Sequence, residues 1–359
     1  MTLRRENADP PGTETDASTR SSGRRSPRAE SRGTSEEGPA PKVVFIMGRG
    51  RSGSTLLDNL LGGFEGFFSA GEIHNLWKRG LVQRRSCGCG RSLPECSVWS
   101  SVLARASLRA RQLPAPQQVI EWQEEIVQSR NEPRLLRAQG SRDASWDELA
   151  SYVSVLGAIY RALADVTGAR VVIDSSKRPT HGMLLELVPG ITPFYIHLVR
   201  DPRAVAFSRR RIKPNVDRNM RQHSAWHSAS LWRKRNRVAQ AIVRRTPHRS
   251  MVLRYEDFVA RPAEALTAIT ALVGEQVDGV PFLDGRSAVV DVNHSTSGNP
   301  SRFKSGRLEI RSDDEWRTGQ RALDRTIVTA LTLPSLRHYG YPIRVPRRRE
   351  SSADVDVSA

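Results

Sequence analysis

The sequence predicts an α/β fold, with a mostly parallel central sheet, flanking helices and a P-loop-like, glycine-rich loop after the first strand. Three observations carry this. Short continuous apolar runs recur at Lys42-Val-Val-Phe-Ile-Met47, Val171-Val-Ile173, Phe194-Tyr-Ile-His-Leu-Val199 and Met251-Val-Leu-Arg254, and runs of that length without alternation are buried strands. Long helical stretches separate them, which is the alternation that parallel strands joined by right-handed crossovers require. The first run stops at Gly48-Arg-Gly-Arg-Ser-Gly-Ser-Thr55, and an apolar stripe of helical spacing follows it.

Each element follows from its local residues. Leu56, Leu57, Leu60 and Leu61 mark one helix face, which Gly62-Gly63 closes. After the run at 194–199, Asp201 suits an N-cap and Pro202 the first helical position. Pro262 opens a helix beyond the fourth run. Ser145-Trp-Asp-Glu148 and Ser312-Asp-Asp-Glu315 have the capping-box pattern and are expected to start helices. Residues 217–245, where Trp226 and Trp232 sit among Arg221, Arg233, Lys234, Arg235 and Arg237, read as one long basic helix.

Charge narrows the function. The 359 residues hold 56 Lys and Arg against 38 acidic residues, a net charge of +18. The ends do not supply it, because residues 1–41 carry seven Arg and seven acids and the tail after Pro346 three of each. The excess therefore sits on residues 42–345, long enough for one large domain with a substantial core, and it favours anionic ligands. Residues 1–41 are rich in Ser, Gly, Pro, Thr and Ala with little to bury, and read as a disordered leader; 346–359 read as a disordered tail. Three cysteines cannot close a disulfide framework by themselves and fit a reducing compartment. No apolar run approaches the roughly 18 residues of a bilayer span, and the Arg- and Ser-rich N-terminus lacks a signal-peptide core. A cytoplasmic protein without a membrane span is expected.

Gly48 to Thr55 spells G-x-x-x-x-G-S-T, one residue from the nucleotide-phosphate loop, with Ser54 in place of the lysine that reaches the outer phosphates of a triphosphate. That replacement argues against a triphosphate substrate. What remains is a nest of backbone N–H groups at a helix N-terminus, with the hydroxyls of Ser52, Ser54 and Thr55 and the Arg51 guanidinium beside it.

Arg51-Ser-Gly-Ser-Thr55 after an apolar strand resembles the phosphosulfate loop of sulfotransferases that use 3′-phosphoadenosine 5′-phosphosulfate. The second signature of that family, an Arg at the end of a later strand and a Ser eight residues on, is matched by Arg200-Asp-Pro-Arg-Ala-Val-Ala-Phe-Ser208. At a strand edge and two turns into the next helix, these side chains can converge on one phosphate. Arg254-Tyr-Glu-Asp-Phe258 resembles the family's Tyr-Glu-Asp segment, and Asn299-Pro-Ser-Arg-Phe303-Lys304 its late loop over the adenosine. The resemblance implies a domain over 42–345 with a helical acceptor-side insert at about 100–165. It also implies 3′-phosphoadenosine 5′-phosphosulfate as co-substrate, held by Gly50, Arg51, Ser52, Gly53, Ser54, Thr55, Arg200, Ser208, Tyr255 and Arg302, and a small-molecule or carbohydrate acceptor. Cytosolic members carry Lys where Arg51 stands and a longer Gly-rich late motif, so the sequence lies nearer the tyrosylprotein and carbohydrate-type branch.

Sulfuryl transfer to a hydroxyl needs a base. In the tyrosylprotein-type branch the catalytic Glu follows a Gly at nearly the distance that separates Glu72 from Arg51, so Glu72 is the expected base. His74 is the rival, since imidazole is the commoner general base and the cytosolic branch uses His. Lys177 ends the strand that also holds Asp174, where the family commonly places a lysine near the sulfuryl group. Arg51 and Lys177 would neutralise charge on the oxygen bridging sulfur and phosphorus, without a metal. Asp174 at the end of an apolar run also resembles a Walker B strand, which makes an Mg²⁺-dependent nucleotide phosphotransferase the alternative enzyme. A basic nucleic-acid binder built on 217–245 explains the charge but not the loop, and no nucleic-acid motif is present in the sequence.

Cys87, Cys89 and Cys96 form a C-x-C-x₆-C cluster that could make a tetrahedral zinc site with His74. The C-x-C spacing is tighter than usual, and a structural loop or thiol pair is the preferred reading, with no metal ligand assigned. His181, His197, His223, His227, His248, His294 and His338 lack metal-ligand spacing and are expected at packing or surface positions. Core burial is the default for the tryptophans, with Trp77 and Trp122 as candidate acceptor-pocket residues.

Overall fold

Five strands build the central sheet: β1 (Lys42–Gly48), β2 (Phe67–Gly71), β3 (Val171–Lys177), β4 (Thr192–Val199) and β5 (Ser250–Arg254). They are all parallel, in the order β2-β3-β1-β4-β5. The computed structural model describes residues 39–138, 146–210, 223–277, 279–280 and 283–344. The expected tail, nearly all of the expected leader and the start of the basic helix lie outside the described residues.

β1 occupies the centre because it is apolar on both faces. Val43, Phe45 and Met47 face one side and Val44 and Ile46 the other, and all five are fully buried. The Val44 face is covered by α1 (Ser54–Leu61), which turns Leu57, Leu60 and Leu61 onto the sheet as the leucine stripe predicts. The other face carries α2 (Ser97–Arg109), α3 (Pro116–Ile126), α4 (Glu132–Ala138), α5 (Asp147–Thr167) and α6 (Pro179–Leu184). α7 (Pro202–Arg210) follows β4, with the Asp201 carboxylate accepting from the Arg203 N–H at 2.9 Å and Pro202 in the first turn, as expected. α8 (Ala225–Arg245) returns over the α6 face, while α9 (Tyr255–Ala260) and α10 (Pro262–Leu272) pack with α1. α11 (Trp316–Gly319) and α12 (Ala322–His338) are the last helices among the described residues.

Several expectations change. β2 adds a strand with little local signal, because Phe67-Phe-Ser-Ala-Gly71 is short and ends at a glycine. A small antiparallel sheet of β6 (Leu283–Asp284), β7 (Ser287–Val290) and β8 (Gly306–Glu309) is also added to the expected architecture. The basic helix begins at Ala225, where the Ser224 hydroxyl accepts from the His227 N–H at 3.2 Å. α5 begins at Asp147 with no side-chain cap, Ser145 lying outside the described residues, and the Ser312 box yields only the four-residue α11, entered through Glu315. Of the described helices, α5 is long and apolar enough to cross a membrane, contrary to the sequence estimate, but most of its apolar window is buried inside the domain.

Two irregularities place the chemistry. The registers of β3 against β1 and β2 both slip near Asp174, which leaves Lys177 opposite Met47 with a left-handed φ of 63°. A bulge at a strand end re-aims the residues beyond it, and here it aims them beside the loop after β1.

Candidate active site

The loop after β1 is shaped by what surrounds it. Gly53 takes φ 91°, and a Cβ there would stand 2.5 Å from the Tyr255 ring, so a side chain is excluded twice over. Gly53 is also the N-cap of α1 and offers no capping side chain, so the first-turn N–H groups remain open to an anion. The buried Ser52 hydroxyl beside them has no hydrogen-bond partner.

Two motifs 149 residues apart meet here. Arg51 donates from Nε to the Ser208 hydroxyl at 3.0 Å, and Arg200 donates to the Arg51 carbonyl at 3.0 Å. The Arg200 guanidinium lies 4.4 Å from the Tyr255 ring centroid and pairs with Asp313 at 3.1 Å, while its buried Nε is unpartnered. Trp232 of α8 fixes the strand end by donating to the Arg200 carbonyl at 3.0 Å. The later loop docks on the same edge, its Asn299 N–H donating to the Thr55 hydroxyl at 3.3 Å. Arg302 braces that loop, donating to the carbonyls of Gly298 and Ser86 at 3.3 and 2.8 Å.

Glu72 follows β2 directly. It forms a short ion pair with Lys177 and accepts from the Asn75 amide at 2.5 Å. Burial pushes its carboxyl up, but Lys177, Arg79 and the Asn75 hydrogen bond outweigh this and hold it below the usual carboxylate value. The Ser297 carbonyl accepts from the Glu72 N–H at 3.3 Å, so the later loop also holds the backbone of the carboxylate.

His74, two residues on, goes elsewhere. Its ring is buried and packs edge-on to His181 at 5.3 Å, and burial together with Arg178 keeps it well below the usual imidazole value. Asp174 is wholly buried, its carboxylate accepting from Tyr160 at 2.6 Å, from the Ser176 N–H at 2.8 Å and from the Ser176 hydroxyl in a short contact. Those oxygens are committed to holding β3 against α5. Asp58 does the same for α1, accepting from Ser69 and Ser175 at 2.7 Å each. Trp77 is buried in the core and Trp122 packs partly buried against it.

Three arginines without an assigned role in the sequence lie near one another, and two of them, Arg209 and Arg235, are also close to Glu72. Arg49 is 4% exposed, and its Nε and Nη2 have no partner. Arg209 reaches back over the loop, its Nη2 within 2.7 Å of where a Gly50 Cβ would be, and its Nε is unpartnered. Arg235 of α8 is half-buried, and burial with Arg178 and Arg209 nearby lowers it to about 10. Their only signal was position, since Arg49 stands inside one motif and Arg209 next to Ser208 in the other. The three thiols cluster as well, with His294 rather than His74 as the fourth member.

A protein-family model described as the sulfotransferase family matches residues 41–279. The chain belongs to the sulfotransferase family. Among solved structures, this sulfotransferase is similar to the sulfotransferase domain from the curacin biosynthetic pathway, at 18% identity and a TM-score of 0.46, over 86% of this chain and 100% of that one. It is also similar to the sulfotransferase domain of the Synechococcus PCC 7002 olefin synthase, at 23% identity and a TM-score of 0.48, over 86% and 98% of the two chains. No curated protein sequence matches.

Proposed function

We propose that this sulfotransferase takes the sulfuryl group of 3′-phosphoadenosine 5′-phosphosulfate to a hydroxyl or amine acceptor, with Glu72 as general base. The observation that carries the reading is the junction of Arg51, Ser208, Arg200 and Tyr255 at the edge where the Glu72–Lys177 pair also ends. Unpartnered Ser52 Oγ and Arg200 Nε, and an uncapped α1, suit a ligand with phosphates at both ends. Arg200 and Ser208 would hold the 3′-phosphate, and the N–H groups of Ser52 to Thr55 the 5′-phosphate, with Tyr255 against the nucleotide.

The donor supplies an activated sulfuryl group, and the residues supply charge and a proton acceptor. An ammonium has three donors, so Lys177 can keep one on Glu72 and turn another toward the leaving oxygen beside Arg51. Glu72, ionised at neutral pH through that pairing, accepts the acceptor's proton as the new S–O bond forms. The phosphotransferase alternative loses ground, because Asp174 is enclosed by Tyr160 and Ser176 and Ser54 replaces the loop lysine.

Calorimetric titration with 3′-phosphoadenosine 5′-phosphate, ATP and GTP tests the donor. The 3′-phosphorylated nucleotide should bind at least about tenfold tighter than ATP, the discrimination of one charge-assisted contact. Activity with hydroxylated acceptors should persist without added Mg²⁺. Preference for a triphosphate together with an Mg²⁺ requirement would reverse the assignment.

A further inference from the structure

The strongest unassigned feature is the meeting of three thiols with an imidazole. The sulfur atoms of Cys87, Cys89 and Cys96 and a ring nitrogen of His294 lie within 4.8 Å of one another. Nδ1 of His294 stands 3.2 Å from the Cys96 sulfur and 3.9 Å from that of Cys87. Ligands on a tetrahedron about 2.0–2.3 Å from its centre are separated by about 3.5–3.8 Å, which is the scale of this cluster. All three cysteines are free thiols.

The surrounding structure builds the cluster. Cys87 and Cys89 share a tight turn in which the Gly90 N–H donates to the Cys87 carbonyl at 2.9 Å and the Cys87 N–H to the Arg91 carbonyl at 2.8 Å. Cys96 is the N-cap residue of α2, which holds its sulfur at the helix's N-terminal end beside His294. Trp99 anchors His294 by donating to its carbonyl at 2.6 Å, and the Gly88 N–H donates to the Ser295 carbonyl at 3.0 Å. A Cβ on Gly88 would strike the Asn293 side chain at 2.1 Å, so the two segments interlock.

We propose that Cys87, Cys89, Cys96 and His294 bind one zinc ion in a closed structural site. Three sulfurs and one nitrogen in tetrahedral array select zinc among common metals, and four protein ligands leave no open catalytic position. The ion ties residues 198 positions apart. It thereby pins the loop whose Thr296 N–H donates to the Ala70 carbonyl at 3.0 Å, whose Ser297 carbonyl accepts from Glu72, and whose Asn299 reaches Thr55.

Elemental analysis of the reduced full-length protein should find about one zinc per chain. The cobalt-exchanged protein should show the visible d–d bands and near-ultraviolet charge transfer of a tetrahedral thiolate site. Cys89→Ser and His294→Asn should each lower zinc affinity at least about tenfold and shift those bands, while His74→Asn should change neither. Because ligand variants can fail to fold, the wild type carries a second measurement: a strong chelator should lower its melting temperature, and added zinc should restore it. Wild type that takes up no zinc on refolding, a His294→Asn cobalt spectrum identical to wild type, or a melting temperature indifferent to the chelator overturns the site.

An independent observation concerns unmatched positive charge, and it rests on the sulfotransferase reading. Arg49 and Arg209 direct unpartnered guanidinium nitrogens into the protein beside Arg235. The nearby carboxylate, Glu72, is already paired with Lys177. Arg235, beside Arg49 and Arg209, also lines a cavity of about 200 Å³ with Arg178, Lys234 and one acid, Glu132. It opens among α4, α6 and α8, on the Phe45 face of the sheet, whereas Tyr255 packs on the Val44 face. Buried guanidinium groups without partners are costly, and an oxyanion satisfies them. The geometry points to an acceptor that carries an anionic group, such as a carboxylate, phosphate or sulfate, bound by Arg49, Arg209 and Arg235 while its hydroxyl meets Glu72.

Inorganic sulfate is the probe, titrated into protein saturated with 3′-phosphoadenosine 5′-phosphate. Sulfate should still bind, and Arg49→Gln/Arg235→Gln should weaken it at least about tenfold while nucleotide affinity stays within about threefold. Sulfate that binds only without nucleotide, or that depends on Lys177 and not on Arg235, belongs to the donor's own subsite and overturns the proposal. If the nucleotide itself fails to bind, the donor reading falls, and sulfate titration of the free protein with the same variants still decides the subsite.

Discussion

Glu72 owes its charge to one neighbour. Without Lys177, burial would drive its carboxyl toward neutrality; with Lys177 it stays charged and below its ordinary value of 4.5. As the proposed base, Glu72 would meet the acceptor and not the nucleotide, so Glu72→Gln should lower turnover by about 10²–10⁴ and leave affinity for 3′-phosphoadenosine 5′-phosphate within about threefold. The acid limb of kcat/KM should lie below pH 4.5 in the wild type and disappear in that variant. His74→Asn should be milder, its ring being held in the core beside His181. Wild-type turnover in Glu72→Gln would remove the carboxylate from the chemistry. At the opposite end of the donor, Arg200→Ala or Ser208→Ala should weaken 3′-phosphoadenosine 5′-phosphate by about 1.5–3 kcal/mol and adenosine 5′-phosphate far less. Equal losses for the two nucleotides, measured by calorimetry, would take both residues out of the 3′-phosphate site.

At the scale of elements, the loop after β1 works because α9 is pressed against it. Tyr255 lies so close that Gly53→Ala forces both a strained φ and a collision with the ring. Such strain costs on the order of 1–3 kcal/mol, so the variant should melt lower and lose nucleotide affinity together. Calorimetric scanning and nucleotide titration of one preparation check this, and unchanged affinity would show that the Gly53–Tyr255 contact does not shape the anion site. The leucine stripe of α1, the Asp201-Pro202 start of α7 and Pro262 were all legible in the sequence, because caps and stripes are local. β2 was not, since a five-residue edge strand is set by the neighbour it pairs with, here Val171 to Asp174 of β3.

Across the whole molecule, buried titratable groups set the response to acid. Burial pushes His197 down to about 4, and burial with Arg178 nearby pushes His181 down to about 3, from an ordinary 6.5. A depressed histidine contributes stability that is present above pH 6.5 and lost as pH falls toward the folded value. Asp58 and Asp174 act oppositely. Burial raises them to about 7 and about 6, so their contribution is present below the ordinary 3.8 and lost as pH rises through those values. Urea unfolding at neutral pH and near pH 4.5, compared between the wild type and one variant, isolates a single histidine. His197→Gln should shrink the acid-induced loss of stability by on the order of 2 kcal/mol relative to wild type, and an undiminished loss would show that His197 is not neutral in the fold.

The sequence by itself determined the strands of the sheet's interior and the loop and helix after β1, and it singled out Arg51, Arg200, Ser208, Glu72 and Lys177 as the residues proposed to act at the site. These are legible because each depends on its own neighbours: an apolar run, a glycine that frees the backbone, a charged residue at a strand end. Only the tertiary structure decided that Asp174 is enclosed by Tyr160 and Ser176, that Arg302 braces a loop, and that Arg49, Arg209 and Arg235 share one place. It also replaced His74 with His294 beside the thiols. His74 was the nearer in sequence, but β2 and the short turn after it carry its ring into the core toward His181, while the later loop folds back across Ala70 and brings His294 to Cys96. A side chain's partner is fixed by where the backbone returns, and that return is set by packing between segments far apart in the chain.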